Sequence, residues 1–158
     1  MKPIVYLETT VISYLTAWPS RDIILLAQQQ QTRDWWETQR ERFELVCSEI
    51  VEREAAAGDS SAAAERLRVI RSIPMLAISH DADILAADII AKVPLAQHAQ
   101  TDALHVAIAA TNGVDYLLTW NCRHLTNAVL RPRIEKVCRD NGLQPPTICT
   151  PPDLMEPS

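Results

Sequence analysis

Residues 3–16 read PIVYLETTVISYLT. The apolar run Ile4 to Leu7 is too short for a helix and reads as a fully buried strand. It stops on Glu8. After two threonines, Val11–Ala17 reads as a short helix that ends before Pro19. A buried strand running straight into a helix is how an α/β unit begins. A carboxylate at that junction either marks where the strand meets water or belongs to an acidic site.

The same alternation recurs down the chain. Ser20 is the expected N-cap of a long helix from about residue 21 to 43, carrying Trp35 and Trp36. FELVCS (43–48) is a second strand ending on Ser48, which can cap the helix EIVEREAAAG (49–58), with Gly58 as its C-cap. Asp59 or Ser60 opens another helix that runs to about Ser72. PMLAIS (74–79) is a third strand and DADILAADIIAK (81–92) an amphipathic helix. QTDALHVAIAATNG (100–113) is an apolar helix ended by Asn112-Gly113, and DYLLTWN (115–121) is a fourth strand. NAVLRPRIEKVCRDNG (127–142) is helical with strain expected at Pro132, and PTICTP (146–151) is a last strand. This order predicts a three-layer α/β/α sandwich around a mainly parallel sheet. One domain spans 1–150, and a proline-rich polar tail, 151–158, is expected to fray at its end.

Composition narrows the class. Of 158 residues, 47% are hydrophobic and 22% charged, which suits a globular chain rather than a disordered one. No apolar run has membrane-spanning length and the N-terminus has no signal-peptide pattern, so a cytoplasmic protein is expected. Cys47, Cys122, Cys138 and Cys149 form no C-x-x-C pair. A zinc site from Cys122, His124 and Cys138 matches no structural-zinc spacing, so reduced, mostly buried thiols are expected. A net charge of −5 disfavours nucleic-acid binding by the whole surface, although twelve of the fifteen basic residues are arginines, which suit phosphate contacts.

Function is suggested by acids in unusual places. In parallel sheets, sites form beyond the carboxyl ends of the strands, where Glu8 and Asn121 fall. Glu54 lies four residues after Ile50 and three after Val51, on the apolar stripe of its helix, whereas Glu49 and Glu52 point away from it. Asp102 is the only acid in a helix apolar almost all round; serving that helix's N-terminus is an equally good account of it. His105, one turn on, reads as a hydrogen-bonded, partly buried histidine. Three carboxylates converging in a cleft would repel one another, and a divalent oxygen-loving cation such as Mg²⁺ or Mn²⁺ resolves that. Asn121 would add a neutral oxygen or position a water. Such a site suits metal-assisted phosphodiester hydrolysis. With three glycines in the chain, there is no glycine-rich phosphate loop.

Four segments in order, YLETTVISYL, SEIVEREAAAGD, TDALHVAIA and YLLTWNCRHL, resemble the PIN-domain family, particularly toxins of the VapC type. The resemblance covers nearly the whole chain. It implies an α/β/α sandwich and a Mg²⁺- or Mn²⁺-dependent ribonuclease site acting on RNA. It also implies homodimers and a small antitoxin partner. Residue by residue, the metal-binding acids fall on Glu8, Glu54 and Asp102, and the family's fourth acid falls on Asn121, two residues after Thr119. Thr9 or Thr10 would orient the first acid, and Ser48 holds the helix-capping position. Arg123 is the best-placed candidate for an RNA phosphate, with a structural ion pair an equal expectation. Trp120 could stack on a base, but core packing is its expected role.

Two departures from the family pattern stand out. Glu8 replaces the usual Asp, and its extra methylene must fold back or shift the metal. Asn121 removes a negative charge, which weakens occupancy of a second metal. These departures favour a rival reading, a PIN-like module for binding nucleic acid or protein with weakened or lost catalysis. A PIN nuclease acting on DNA flaps or in RNA processing, without an antitoxin, is a further alternative.

Overall fold

The computed structural model describes residues 1–96 and 99–157. Five strands form one all-parallel sheet in the order β3-β2-β1-β4-β5. The strands are β1 (Ile4–Leu7), β2 (Glu44–Ser48), β3 (Met75–Leu76), β4 (Tyr116–Leu118) and β5 (Thr147–Cys149). β1 is central because it is the most apolar: Val5, Tyr6 and Leu7 are fully buried. The chain builds outward from β1 through β2 to β3, then returns to lay β4 on its other side. The order therefore reverses between β1 and β4, and in open α/β sheets ligands bind at such a switch point, beyond the carboxyl ends of the strands.

Helices flank the sheet. They are α1 (Thr9–Thr16), α2 (Ile23–Gln39), α3 (Glu49–Ala55), α4 (Ser60–Ile70), α5 (His80–Lys92), α6 (Gln100–Thr111) and α7 (Arg131–Asp140). Side chains alternate across a strand, so Tyr6 faces one way and Val5 the other. On the Tyr6 face the ring meets His105 of α6 edge-on, with centroids 5.7 Å apart. On the opposite face Tyr116, in register with Val5, meets Phe43, which stacks on Trp35 of α2. α1 packs on α2, α3 and α4, while α5 packs on α6 and α7. Among the described residues no helix is long and apolar enough to cross a membrane.

Most expected elements form, and the differences have local causes. The long helix is capped by Asp22, not Ser20: Asp22 accepts from the N–H groups of Ile24 and Leu25, and Ser20 Oγ accepts from Asp22 N–H. The helix ends at Gln39, and a 3₁₀ turn covers 40–42. The third strand shrinks to two residues. Pro74 accepts from Cys47 N–H at 3.0 Å but has no N–H to extend the ladder backward. α7 starts only at Arg131, so Pro132 falls in the first turn, where its missing N–H costs nothing, and no strain arises there. Gly113, at φ +66°, ends α6 as the Asn-Gly pair suggested. The tail continues as a 3₁₀ turn over Pro151–Leu154 that packs on α2. It is closed by a Thr150–Asp153 capping box and carries a Glu156 N–H to Gln39 Oε1 bond of 3.3 Å. Ser158, the end of the tail expected to fray, lies outside the described residues.

All four cysteines are free. Cys47, Cys138 and Cys149 are buried and Cys122 is exposed. Burial pushes the Cys47 and Cys138 thiols up to about 11 and Cys149 up to about 12. Thiolate is the reactive form, so burial suppresses these three, and Cys122 is the exposed thiol. A thiol–disulfide dye such as DTNB at pH 8 is expected to titrate one thiol quickly in the native protein and all four after unfolding in guanidinium. Two or more fast thiols in the native protein would contradict this packing.

Candidate metal and catalytic site

Glu8 follows directly on β1 and is 4% exposed. It has the same strand parity as Tyr6, so its side chain leaves the sheet on the Tyr6 face. It is also the N-cap of α1, an unusual role for Glu. The longer side chain folds back so that both carboxylate oxygens accept from Thr10 N–H at 3.2 Å. Two hydroxyls complete its shell. Thr119 Oγ1 donates to Glu8 Oε1 at 2.6 Å, and Thr10 Oγ1 donates to the same oxygen. Each threonine in turn accepts a backbone N–H, that of Asn121 at 3.0 Å and that of Trp120 at 2.9 Å. The carboxylate is thereby tied to the segment leaving β4, 111 residues away.

Glu54 reaches the same place from α3. Its neighbours Ile50, Val51 and Ala55 are buried, so the apolar stripe turns Glu54 toward the sheet. Its Oε1 accepts from Thr9 Oγ1 and meets His105 Nε2, both at 2.7 Å. His105, fully buried on α6, meets the Tyr6 hydroxyl through Nδ1 at 2.6 Å, and that hydroxyl lies 2.7 Å from Ser48 Oγ. Hydrogen-bond chemistry sets the direction of this chain. An ionised carboxylate only accepts, so His105 Nε2–H donates to Glu54. In the neutral imidazole Nδ1 then accepts from Tyr6, Tyr6 accepts from Ser48, and Ser48 Oγ accepts from Val51 N–H at 3.4 Å. In this arrangement every buried hydroxyl hydrogen has an acceptor. Burial pushes the Glu54 carboxyl up, but the hydrogen bonds from His105 and Thr9 outweigh it and hold the group below the usual carboxylate range. Burial raises the Tyr6 hydroxyl far above its ordinary value, so it stays a donor.

Glu8, Glu54 and His105 offer ligand atoms that all lie within 4.8 Å of one another, from β1, α3 and α6. Asp102 is not in that group. Its Oδ2 pairs with His124 Nδ1 at 2.9 Å. Nor does it cap its helix, whose N-cap is Ala99 without a side-chain bond. Asn121 Oδ1 accepts from His124 N–H at 3.0 Å, so His124 is held against both Asp102 and Asn121. Thr9, Ser48 and Thr119 each bond within the acidic site or its support. Arg123 is exposed and makes no ion pair among the described residues. Three contributors were not singled out from sequence as site residues: His105, Tyr6 and His124. The available signals were spacings, His105 three residues beyond Asp102 on the same helix and Tyr6 two before Glu8 on the same face.

No family model and no curated protein matches the sequence. Solved structures do match the fold. The chain aligns with Mycobacterium tuberculosis VapC20, a sarcin–ricin loop cleaving toxin, at TM-score 0.57 and 13% identity, over 72% of this chain and 86% of that one. It aligns with VapBC2 from Rickettsia felis, bound to a DNA fragment from its promoter, at TM-score 0.59 and 12% identity, over 93% and 98%. The chain has a VapC-like PIN-domain fold. Within that fold, Glu8 at the end of β1 and Glu54 in α3 are brought together with a third donor, His105.

The relay supporting Glu54 can be broken at its middle. Tyr6→Phe leaves Ser48 and His105 without their shared partner in a buried site. The expected cost is about 1–3 kcal/mol, as for an orphaned buried polar group. Urea unfolding of the variant against wild type measures it, and an unchanged midpoint would rule the relay out as a stabilising element.

Proposed function

We propose that this chain is a divalent-cation-dependent endoribonuclease of PIN type, working in the cytoplasm as the toxin of a toxin–antitoxin pair and forming a homodimer. The observation that carries the reading is the convergence of Glu8, Glu54 and His105 within 4.8 Å at the switch point of the sheet. Outside that group, Asp102 and Asn121 follow on the same rim, joined through His124. The likeness to VapC20, a toxin that cleaves the sarcin–ricin loop, supports RNA as substrate, and the likeness to the VapBC2 complex supports an antitoxin partner.

The donor set fits a cation. Two carboxylates suit Mg²⁺ or Mn²⁺, while His105, with both ring nitrogens engaged by Glu54 and Tyr6, serves to hold Glu54 in place. Glu54 Oε2 has no hydrogen-bond partner among the described residues, so a lone pair is free to coordinate. Glu8, Glu54 and Asp102 are the residues assigned to hold the ion, with Asn121 assisting. When bound, the cation supplies activation of water and neutralisation of charge building on the phosphate. The residues do the rest. Thr10 and Thr119 hold Glu8 in one orientation, Thr9 and His105 hold Glu54, and Ser48 anchors the support behind them. Arg123, exposed and without an ion pair, takes an RNA phosphate.

A second reading rests on His124. Its bonds occupy one oxygen of Asp102 and the amide oxygen of Asn121, which leaves a smaller set of free acids and favours a PIN-like binding module.

Calorimetric Mn²⁺ titration combined with cleavage of structured RNA separates the two. The nuclease reading expects Mn²⁺ uptake that Glu54→Gln weakens by more than the roughly 10–100-fold typical of losing an outer-shell partner. It also expects Asp102→Asn to abolish Mn²⁺-stimulated cleavage with circular dichroism unchanged. Cleavage by Asp102→Asn equal to wild type removes Asp102 from the site, and wild-type protein without carboxylate-dependent Mn²⁺ uptake establishes the binding module. Growth arrest on expression, relieved by a short neighbouring reading frame, tests the toxin assignment.

A further inference from the structure

The residue between Thr119 and Asn121 is Trp120, which the mechanism does not use. Its backbone N–H donates to Thr10 Oγ1, the hydroxyl that holds Glu8, so it sits one bond removed from the first acid. Its indole stacks on Tyr14, with centroids 5.9 Å apart and planes 21° from parallel. Tyr14 lies four residues after Thr10 on α1 and so shares its face. Burial, with the charges of Cys122 and Glu8 adding to it, holds the Tyr14 hydroxyl above its ordinary value.

Trp120 packs against the core as expected, but core packing does not account for the whole pair. The aromatic rings that build the core, Tyr6, Trp35 and Phe43, are buried, whereas Tyr14 and Trp120 both keep part of their surface in solvent. Cys122 and Arg123, two and three residues on from Trp120, are exposed. The indole is nevertheless fixed, because its Nε1–H donates to Thr32 Oγ1 at 2.7 Å, and that hydroxyl donates to Gln28 O within α2. A partly exposed, orientation-locked aromatic pair beside the candidate site, with Arg123, exposed and without an ion pair among the described residues, three positions on in the chain, has the attributes of a stacking platform. Aromatic faces take any unstacked base, and single-stranded nucleic acids bind through such faces combined with cations that track the backbone.

We propose that Tyr14 and Trp120 form a nucleobase subsite that stacks an unpaired base flanking the scissile phosphate, so that the substrate is engaged as an unstacked single strand. The inference rests on the nuclease reading for the position of that phosphate. Tyr14 carries the exposed face, and Trp120 sets its angle. The subsite reads a π-face, so it contributes affinity for any base and little base identity.

Binding of a single-stranded decamer of 2′-O-methyl nucleotides, which resists cleavage, is measured by fluorescence anisotropy in EDTA. The same measurement uses a decamer of identical backbone that is abasic throughout. Wild type is expected to prefer the base-bearing decamer by roughly tenfold or more, the size of one stacked base. Tyr14→Leu should lose that preference, and Tyr14→Phe should restore it. Trp120→Phe should give an intermediate preference with the thermal melt within a few degrees of wild type. An equal preference in Tyr14→Leu and wild type overturns the subsite, and so does a Tyr14→Leu defect of the same size on the abasic decamer. If wild type binds the decamer and cleaves RNA while Tyr14→Leu is unchanged, the subsite alone fails. If wild type neither binds nor cleaves, the nuclease reading fails with it.

Discussion

The Glu8 carboxylate joins parts of the chain that share little else. It ends the central strand, caps α1, and accepts the hydroxyls of Thr10 and Thr119. A buried carboxylate is costly unless its oxygens are satisfied, so each of these bonds is required by the burial itself. The two threonines pass the constraint on, because each also receives a backbone N–H from the segment leaving β4. The switch point of the sheet is thus closed around one acid, and the geometry of the rim follows from where that acid can be satisfied.

The second acid is held differently. Glu54 stands at the end of a one-way chain that runs from Val51 N–H through Ser48, Tyr6 and His105. Networks of this kind are stabilising only when every member is satisfied, and the fixed donor at its far end is a helical N–H, which cannot reverse its role. The chain crosses from α3 to Ser48 at the end of β2, then to β1, α6 and back to α3. It therefore sets the spacing of four elements as well as the tilt of one side chain. Glu8 and Glu54 approach closely because two separate hydrogen-bond systems, meeting at the Tyr6 face, hold each in place.

What could be read from the sequence was whatever depends on local pattern. A fully apolar run identified β1, the stripe of Ile50, Val51 and Ala55 singled out Glu54, and Asn112-Gly113 marked the end of α6. Boundaries failed where two residues offered the same chemistry. Ser20 and Asp22 both carry capping oxygens, and only the packed structure shows that the serine serves the aspartate. Pro132 reads equally as a kink or a helix start, depending on where the helix begins. The deeper gaps are long-range. His105 has its partner Tyr6 99 residues away, and nothing near Asp102 in sequence announces His124. Periodicity tells which face a side chain occupies; it does not tell what is waiting on that face.

The bond between Thr119 and Glu8 has a consequence for synthesis. The first acid is synthesised 111 residues before the hydroxyl that orients it. β4, which completes the central pairing of β1, arrives at the same moment. An emerging chain therefore carries Glu8 and Glu54 with neither the switch point nor the rim beyond β4 built. The two acids therefore gain their fixed geometry only once β4 has folded onto β1, late in the ordering of the chain.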